Sequence, residues 1–191
     1  MKKLGLCAMF ALFAFSANAQ TPTTAVKYAA VDASPMDAVY YPINAVKVKP
    51  GDNSMPTIRV IYSRPAKKGR EVFGVLEPFD KVYRLGANEN TEISFAKSVT
   101  IGNKKIKAGT YSLFAIPTAT KWTIIVNKQT DRWGAYNYDA TKDVVRVDVP
   151  VNKLDKEIEN FSITFTDLPN GANLVMGWDK TEVMLPITFQ K

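Results

Sequence analysis

Residues 161–189 read FSITFTDLPNGANLVMGWDKTEVMLPITF. Phe161, Ile163 and Phe165 fall on one face of an extended chain, and Val183, Leu185, Ile187 and Phe189 repeat the pattern. Alternation of this kind marks half-buried strands, because successive side chains of a strand point to opposite faces. Asn170-Gly171 lies between two such runs and is a strong hairpin signal. Asp179-Lys180 predicts a further turn with weaker residues. The same grammar extends outward. Gly102-Asn103 divides the runs of residues 98–116, SVTIGNKKIKAGTYSLFAI. KWTIIVN at 121–127 and DVVRVDVP at 143–150 read as strands, with Val145, Val147 and Val149 on one face. Val46 and Val48 alternate with Lys47 and Lys49, and Ile58, Val60 and Tyr62 alternate with their neighbours. Helical periodicity is almost absent, with one turn to be expected at 152–159. Short strands with turns every ~8–12 residues predict an all-β, single-domain antiparallel β-sandwich, whose inner faces these apolar sets would form; jelly-roll-like connections are one form it could take.

The first residues have another role. Lys2 and Lys3, the uncharged apolar run from Leu4 to Phe15, and Ala17-Asn18-Ala19 compose a signal peptide of bacterial appearance, with cleavage expected after Ala19. The apolar run is too short for a bilayer anchor, which needs ~20 residues. The expected layout is a signal peptide at 1–19, an extended lead-in at 20–44 and the β-sandwich domain at 45–191. Tyr40 and Tyr41 are the residues that could dock the lead-in. A mature chain of about 170 residues suffices for one domain burying roughly 70% of its extended-chain surface. The expected address is periplasmic or secreted, with no integral membrane segment after cleavage.

Composition excludes several chemistries. The chain has no histidine and one cysteine, Cys7, inside the leader. His-based triads, a cysteine nucleophile and zinc held by His or Cys are therefore excluded from the mature protein. The formal charge is +7, two of the lysines belonging to the leader. The other lysines are scattered over what read as strand edges and solvent faces, where they discourage edge-to-edge pairing. Together with export, this argues against nucleic acid as a partner. No cofactor and no metal site is indicated, and nothing resembles an EF-hand loop.

Two polar stretches could carry chemistry. Residues 62–91, YSRPAKKGREVFGVLEPFDKVYRLGANENT, bring Arg64, Arg70 and Arg84 close in sequence to Asn88 and Glu89. Arginine presents a planar fork suited to carboxylate, phosphate or sulfate. The stretch reads as a cationic pocket for an anion or as an Arg–Glu network pinning a long loop. Ser63 with Lys67 or Lys68 lacks the spacing and the helix of a Ser-x-x-Lys dyad. The second stretch, TDRWGAYNYD at 130–139, sets Trp133, Tyr136 and Tyr138 among Asp131, Arg132, Asn137 and Asp139. Aromatic faces beside amides and carboxylates suit sugars, and they equally suit a loop that caps the core.

Many of these residues also carry a family resemblance. Tyr62-Ser63-Arg64-Pro65, Lys68-Gly69-Arg70, Phe73-Gly74, Leu76, Pro78, Arg84, Gly86-Ala87-Asn88-Glu89 and Thr91 form its long motif. Ala108 to Leu113, Ile116-Pro117, Trp122-Thr123, Asn127 and Trp133-Gly134 continue it. In these, residues 58–188 resemble domain of unknown function 2911, a group of exported bacterial proteins. Tyr83 stands where that family usually has Trp, Leu85 where Thr is common, and Phe79-Asp80 replaces a Tyr-Gly type pair. The resemblance implies a secreted or periplasmic β-rich domain and no established activity.

Three functions fit these residues. The first is a non-catalytic binding module for a glycan or small anion, using Arg64, Arg70, Arg84, Asn88 and Glu89 with Trp133 and Tyr136 as a platform. The second is a carboxylate-dependent hydrolase with Glu89 and Asp131 or Asp139 as acid and base, which requires two carboxyls ~5–10 Å apart. The third is a structural envelope protein in which the Arg–Glu network is internal.

Overall fold

The computed structural model describes residues 26–43, 45 and 55–189. The expected signal peptide at 1–19 and the alternating Val46 and Val48 lie outside the described residues. The strands are β1 (Met36–Tyr41), β2 (Ile58–Ser63), β3 (Thr91–Phe95), β4 (Val99–Ile101), β5 (Lys104–Ile106), β6 (Gly109–Pro117), β7 (Lys121–Asn127), β8 (Asp143–Leu168) and β9 (Gly171–Phe189). They form one nine-stranded antiparallel sheet in the order β1-β2-β3-β6-β7-β8-β9-β4-β5, not closed into a barrel. That order is one run of neighbours, unlike the paired Greek keys of a jelly roll. The fold is all-β, as the alternation requires. Part of the lead-in supplies β1, which pairs with β2 from Met36–Ser63 to Tyr41–Ile58.

β8 is the element that turns the sheet over. Its first residues pair with β7 and its later ones with β9, with register shifts between Lys153 and Ile158 and between Ile158 and Ser162. Such bulges bend a strand and increase its twist. Residues 152–159, where one helical turn was expected, therefore belong to this strand. Pairing of Asn152, Lys153 and Ile158 with Glu182, Thr181 and Asp179 holds the ends of this stretch extended, and no apolar stripe of period 3.6 competes with it. Phe161, Ile163 and Phe165 are buried, as are Ile58, Val60 and Tyr62 of β2. These two sets meet across the core: Tyr62 packs edge-on to Phe161 at 5.8 Å between ring centroids. Phe161 also touches Tyr83 and Trp178, and Phe73 contacts Tyr83, Trp122 and Trp178, so the aromatics form one continuous cluster.

The turns depart from expectation in detail. Gly102 has φ +56° in the β4–β5 hairpin, the positive φ its position demands. The β8–β9 hairpin turns at Pro169-Asn170, because Leu168 already faces Gly171. Gly171 is needed for another reason: a Cβ there would overlap the Ile187 carbonyl oxygen. The two ends of β9 approach each other here, Phe189 N–H donating to the Asn170 carbonyl at 2.8 Å, although β9 runs as one strand through Asp179-Lys180, where a further turn was expected and Asp179 has φ +54°. The cost of a side chain at Gly171 is thus steric. Gly171→Ala should destabilise the domain by about 1–3 kcal/mol in urea unfolding, the usual range for overpacking. Gly69→Ala, at φ +70° with nothing within 4 Å of its Cβ position, should lose only the left-handed backbone cost of ~1–2 kcal/mol.

Candidate functional site

The long connection from β2 to β3 is anchored at both ends. After β2, Phe161 N–H donates to the Pro65 carbonyl at 2.9 Å and Lys67 N–H to the Glu159 carbonyl at 2.8 Å. Arg64 donates to the Phe161 carbonyl at 3.3 Å, the Asp37 carboxylate at 2.9 Å and the Ser162 hydroxyl at 2.9 Å. Arg70 bonds the carbonyls of Lys67 and Ala66 in its own loop, at 2.8 and 2.6 Å. Lys67 is 8% exposed and holds Asp179 at 2.7 Å and Glu157 at 2.9 Å, and these two carboxylates raise its pKa above the ordinary lysine value. Arg64 and Arg70 are therefore structural fasteners at separate points.

At the far end, Tyr83 exchanges backbone hydrogen bonds with Ala115 of β6, at 2.7 and 2.9 Å. Its ring enters the aromatic cluster, and the hydroxyl has no hydrogen-bond partner. Leu85, fully buried, is held at φ +55°, an uncommon conformation for a bulky residue. Thr91 fixes it there: its hydroxyl donates to the Leu85 carbonyl at 2.5 Å and its N–H to the Arg84 carbonyl at 3.2 Å. Gly86, at φ +152°, lies against the Ser63 carbonyl, where a Cβ would come within 2.8 Å.

The two polar stretches of the sequence meet here. Glu89 and Trp133 form an antiparallel bridge. Asn90 N–H donates to the Arg132 carbonyl at 3.0 Å, and Arg132 N–H to Asn90 Oδ1 at 2.8 Å. Asp131 N–H donates to Glu92 Oε1 at 2.6 Å. Gly134 then sits over Arg84, whose Nη1 would be 2.7 Å from a Cβ at that position. The absence of a side chain lets the guanidinium pass under the loop and beside the Tyr136 ring.

A cleft of about 250 Å³ opens at this junction, lined by Glu77, Val82, Tyr83, Arg84, Ala135 and Tyr136. Of the residues singled out from sequence, Arg84 and Tyr136 line it. Tyr136 is 78% exposed, at the rim. Trp133, 60% exposed, Asn88 and Glu89 belong to the adjoining loops. Asn88 serves structure, its carbonyl accepting from Arg84 Nη1 at 3.3 Å and its amide donating to Asp32 at 3.1 Å. The expected ionic network linking the arginines to Glu89 does not form: among the described residues no ion pair joins Glu89 to Arg64, Arg70 or Arg84. Tyr138 bonds Asp143 and Arg146, and burial with the Asp143 bond pushes its hydroxyl up to about 12. Asp139 caps the short turn Ala140–Lys142 by accepting from Thr141, and those bonds lower its pKa. Its carboxylate is thus already engaged.

Glu77 is the residue that sequence reading missed. It lies in a compact turn, its N–H on the Val72 carbonyl at 2.8 Å and its carbonyl accepting from Gly74 at 2.9 Å. Burial raises its carboxyl pKa from 4.5 to about 7, against the opposing pull of Arg84. Nothing in the local string Leu76-Glu77-Pro78 signals this, because burial depends on folded surroundings, and the cleft that Glu77 lines includes Ala135 and Tyr136. A carboxyl with a raised pKa in a cleft beside an arginine is a recognised mark of a functional site.

A raised folded-state pKa means that protonated Glu77 stabilises the fold at low pH. The benefit is complete below about 4.5 and is lost as pH rises through about 7. Glu77→Gln should therefore match the wild type in urea unfolding at pH 4. By pH 8 it should be the more stable by roughly 3 kcal/mol. The figure follows because a tenfold change in a proton-binding constant between folded and unfolded chains is worth about 1.4 kcal/mol.

No curated protein and no solved structure matches the chain. The family model described as Protein of unknown function (DUF2911) matches residues 41–187. That span contains every strand from β2 to β8, most of β9 and both loops that build the cleft, and the chain belongs to this family.

Proposed function

We propose that this protein is an exported binding module that takes a small anionic ligand, a carboxylate or an acidic sugar, at Arg84. The observation that carries the reading is the contrast among the three arginines. The Arg64 guanidinium has three partners, two side chains and the Phe161 carbonyl, and Arg70 has two backbone ones, whereas Arg84 spends one hydrogen bond, a long one, on the Asn88 carbonyl and lines the open cleft. An arginine fork held from behind and presented to a cavity is suited to bidentate capture of a carboxylate. The loop holding it is already zipped to residues 130–134, so little ordering remains to oppose binding. Tyr136 supplies an apolar face at the rim, and Trp133 offers a second aromatic surface nearby for a larger glycan. The cleft carries one carboxyl among its lining residues, where a two-carboxylate hydrolase needs a facing pair. Export rests on the charged and apolar leader and the Ala17-Asn18-Ala19 site.

Two measurements test this reading. Isothermal titration with small carboxylates and uronic acids should show binding that Arg84→Ala lowers at least tenfold while leaving the melting temperature near wild type. Arg64→Ala should do the reverse, costing ~1–3 kcal/mol of stability through its charged hydrogen bonds and leaving affinity unchanged. If Arg84→Ala unfolds the domain and no carboxylate binds, Arg84 is an internal fastener. N-terminal sequencing of protein from the exported fraction should begin at Gln20.

A further inference from the structure

Glu77 and Arg84 line the same small cleft, yet no ion pair joins them, and among the described residues neither is paired to another charged side chain. Opposite charges that share a cavity without closing on each other leave room for a molecule that answers both. A simple anion on Arg84 would bring a like charge toward Glu77. A neutral sugar would leave the Arg84 charge without a counter-charge in the cleft, a costly arrangement. We propose that the cleft receives a small zwitterion bearing a carboxylate and an ammonium group, as a free α-amino acid or a short peptide does. This rests on the reading of Arg84 as the anion site and adds Glu77 as its cationic counterpart.

Each part of the cleft then has a role. Arg84 takes the carboxylate, with its guanidinium oriented by the Asn88 carbonyl. Glu77 takes the ammonium. The exposed Tyr136 ring at the rim covers the carbon skeleton and offers its face to the cation. The cavity, about 250 Å³, lies below the ~300–1,000 Å³ typical of drug-sized ligands and suits a molecule of this size. The charged and titratable groups that face Glu77 are Arg84 and Tyr83, with Tyr136 completing the lining. An incoming ammonium favours the carboxylate form of Glu77, so occupation should drive the proton off this residue. A purely structural Glu77 would not couple ligand to proton.

The experiment is isothermal titration of the intact domain at pH 6.5, in two buffers of different ionisation enthalpy. The probes are L-alanine, the dipeptide alanyl-alanine, propionate and ethylammonium. The zwitterion reading expects alanine or the dipeptide to bind at least tenfold tighter than propionate, with proton release that propionate does not produce. The tighter of the two identifies a free amino acid or a peptide as the source. Glu77→Gln should abolish both the tenfold preference and the proton release while still binding propionate. Equal affinity for alanine and propionate would overturn the zwitterion assignment and leave the anion site standing. Ethylammonium binding as tightly as alanine would overturn the zwitterion assignment by removing the need for Arg84. Binding of none of the probes would overturn it together with the anion reading.

Discussion

Where the sheet turns over, residues 159–163 of β8 expose backbone groups that would be orphaned if nothing met them, and a buried unpaired amide or carbonyl costs ~1–3 kcal/mol. The chain meets them with the segment that leaves β2. Pro65 and Lys67 pair with Phe161 and Glu159. The Tyr62 hydroxyl accepts from the Ile163 N–H at 3.1 Å and donates to its carbonyl at 3.4 Å, standing in for a missing strand neighbour. Arg64 finishes the edge at the Phe161 carbonyl and Lys67 neutralises the carboxylates of Asp179 and Glu157. The edge is covered as strand edges must be, here by side chains and a loop.

That seam explains the shape of the long connection that follows. Once residues 64–67 are tied to β8, the chain has to travel back across the aromatic cluster to reach β3. Phe73 and Tyr83 pack against Trp122 on the way, and Leu85 is pulled into the core. Between these apolar anchors Glu77 and Arg84 are left in the cleft, at partial burial. The strained φ of Leu85 is a consequence of the same geometry, since the backbone must bury Leu85 and then turn at once into the loop that meets Trp133. The cleft is thus a by-product of covering the edge of β8 and crossing the core.

Strand identity was legible because period-two alternation is local. Phe161, Ile163 and Phe165 fall on the buried face, as do Val183, Leu185 and Ile187. The turn expected at Asp179-Lys180 does not divide the chain: β9 runs through these residues as one strand, because both sides of the pair keep β8 as their partner. The placement of the β8–β9 turn was not legible either, because Gly171 satisfies a hairpin pattern and a close backbone approach alike, and a sequence does not distinguish the two. The strand character of residues 152–159 was hidden for a related reason: Asn152, Lys153, Asp155, Lys156 and Glu157 show no alternation, and the stretch is held extended by the β9 partners of Asn152, Lys153 and Ile158 on either side of a bulge.

The site divides in the same way. The lack of histidine and of any cysteine beyond Cys7, a matter of composition, excludes whole classes of chemistry from residues 8–191 whatever the fold. The grouping of arginines and aromatics in two stretches was visible as well, and those stretches do meet. What tertiary structure alone decided is which arginine is free. Arg64, Arg70 and Arg84 are the same chemical group within one long motif, and they differ only in the partners that distant elements bring: Phe161 and Ser162 to Arg64, its own loop to Arg70, an open cleft to Arg84. Glu77 shows the rule from the other side. Its altered titration arises from burial, a property of three-dimensional surroundings that no local pattern records.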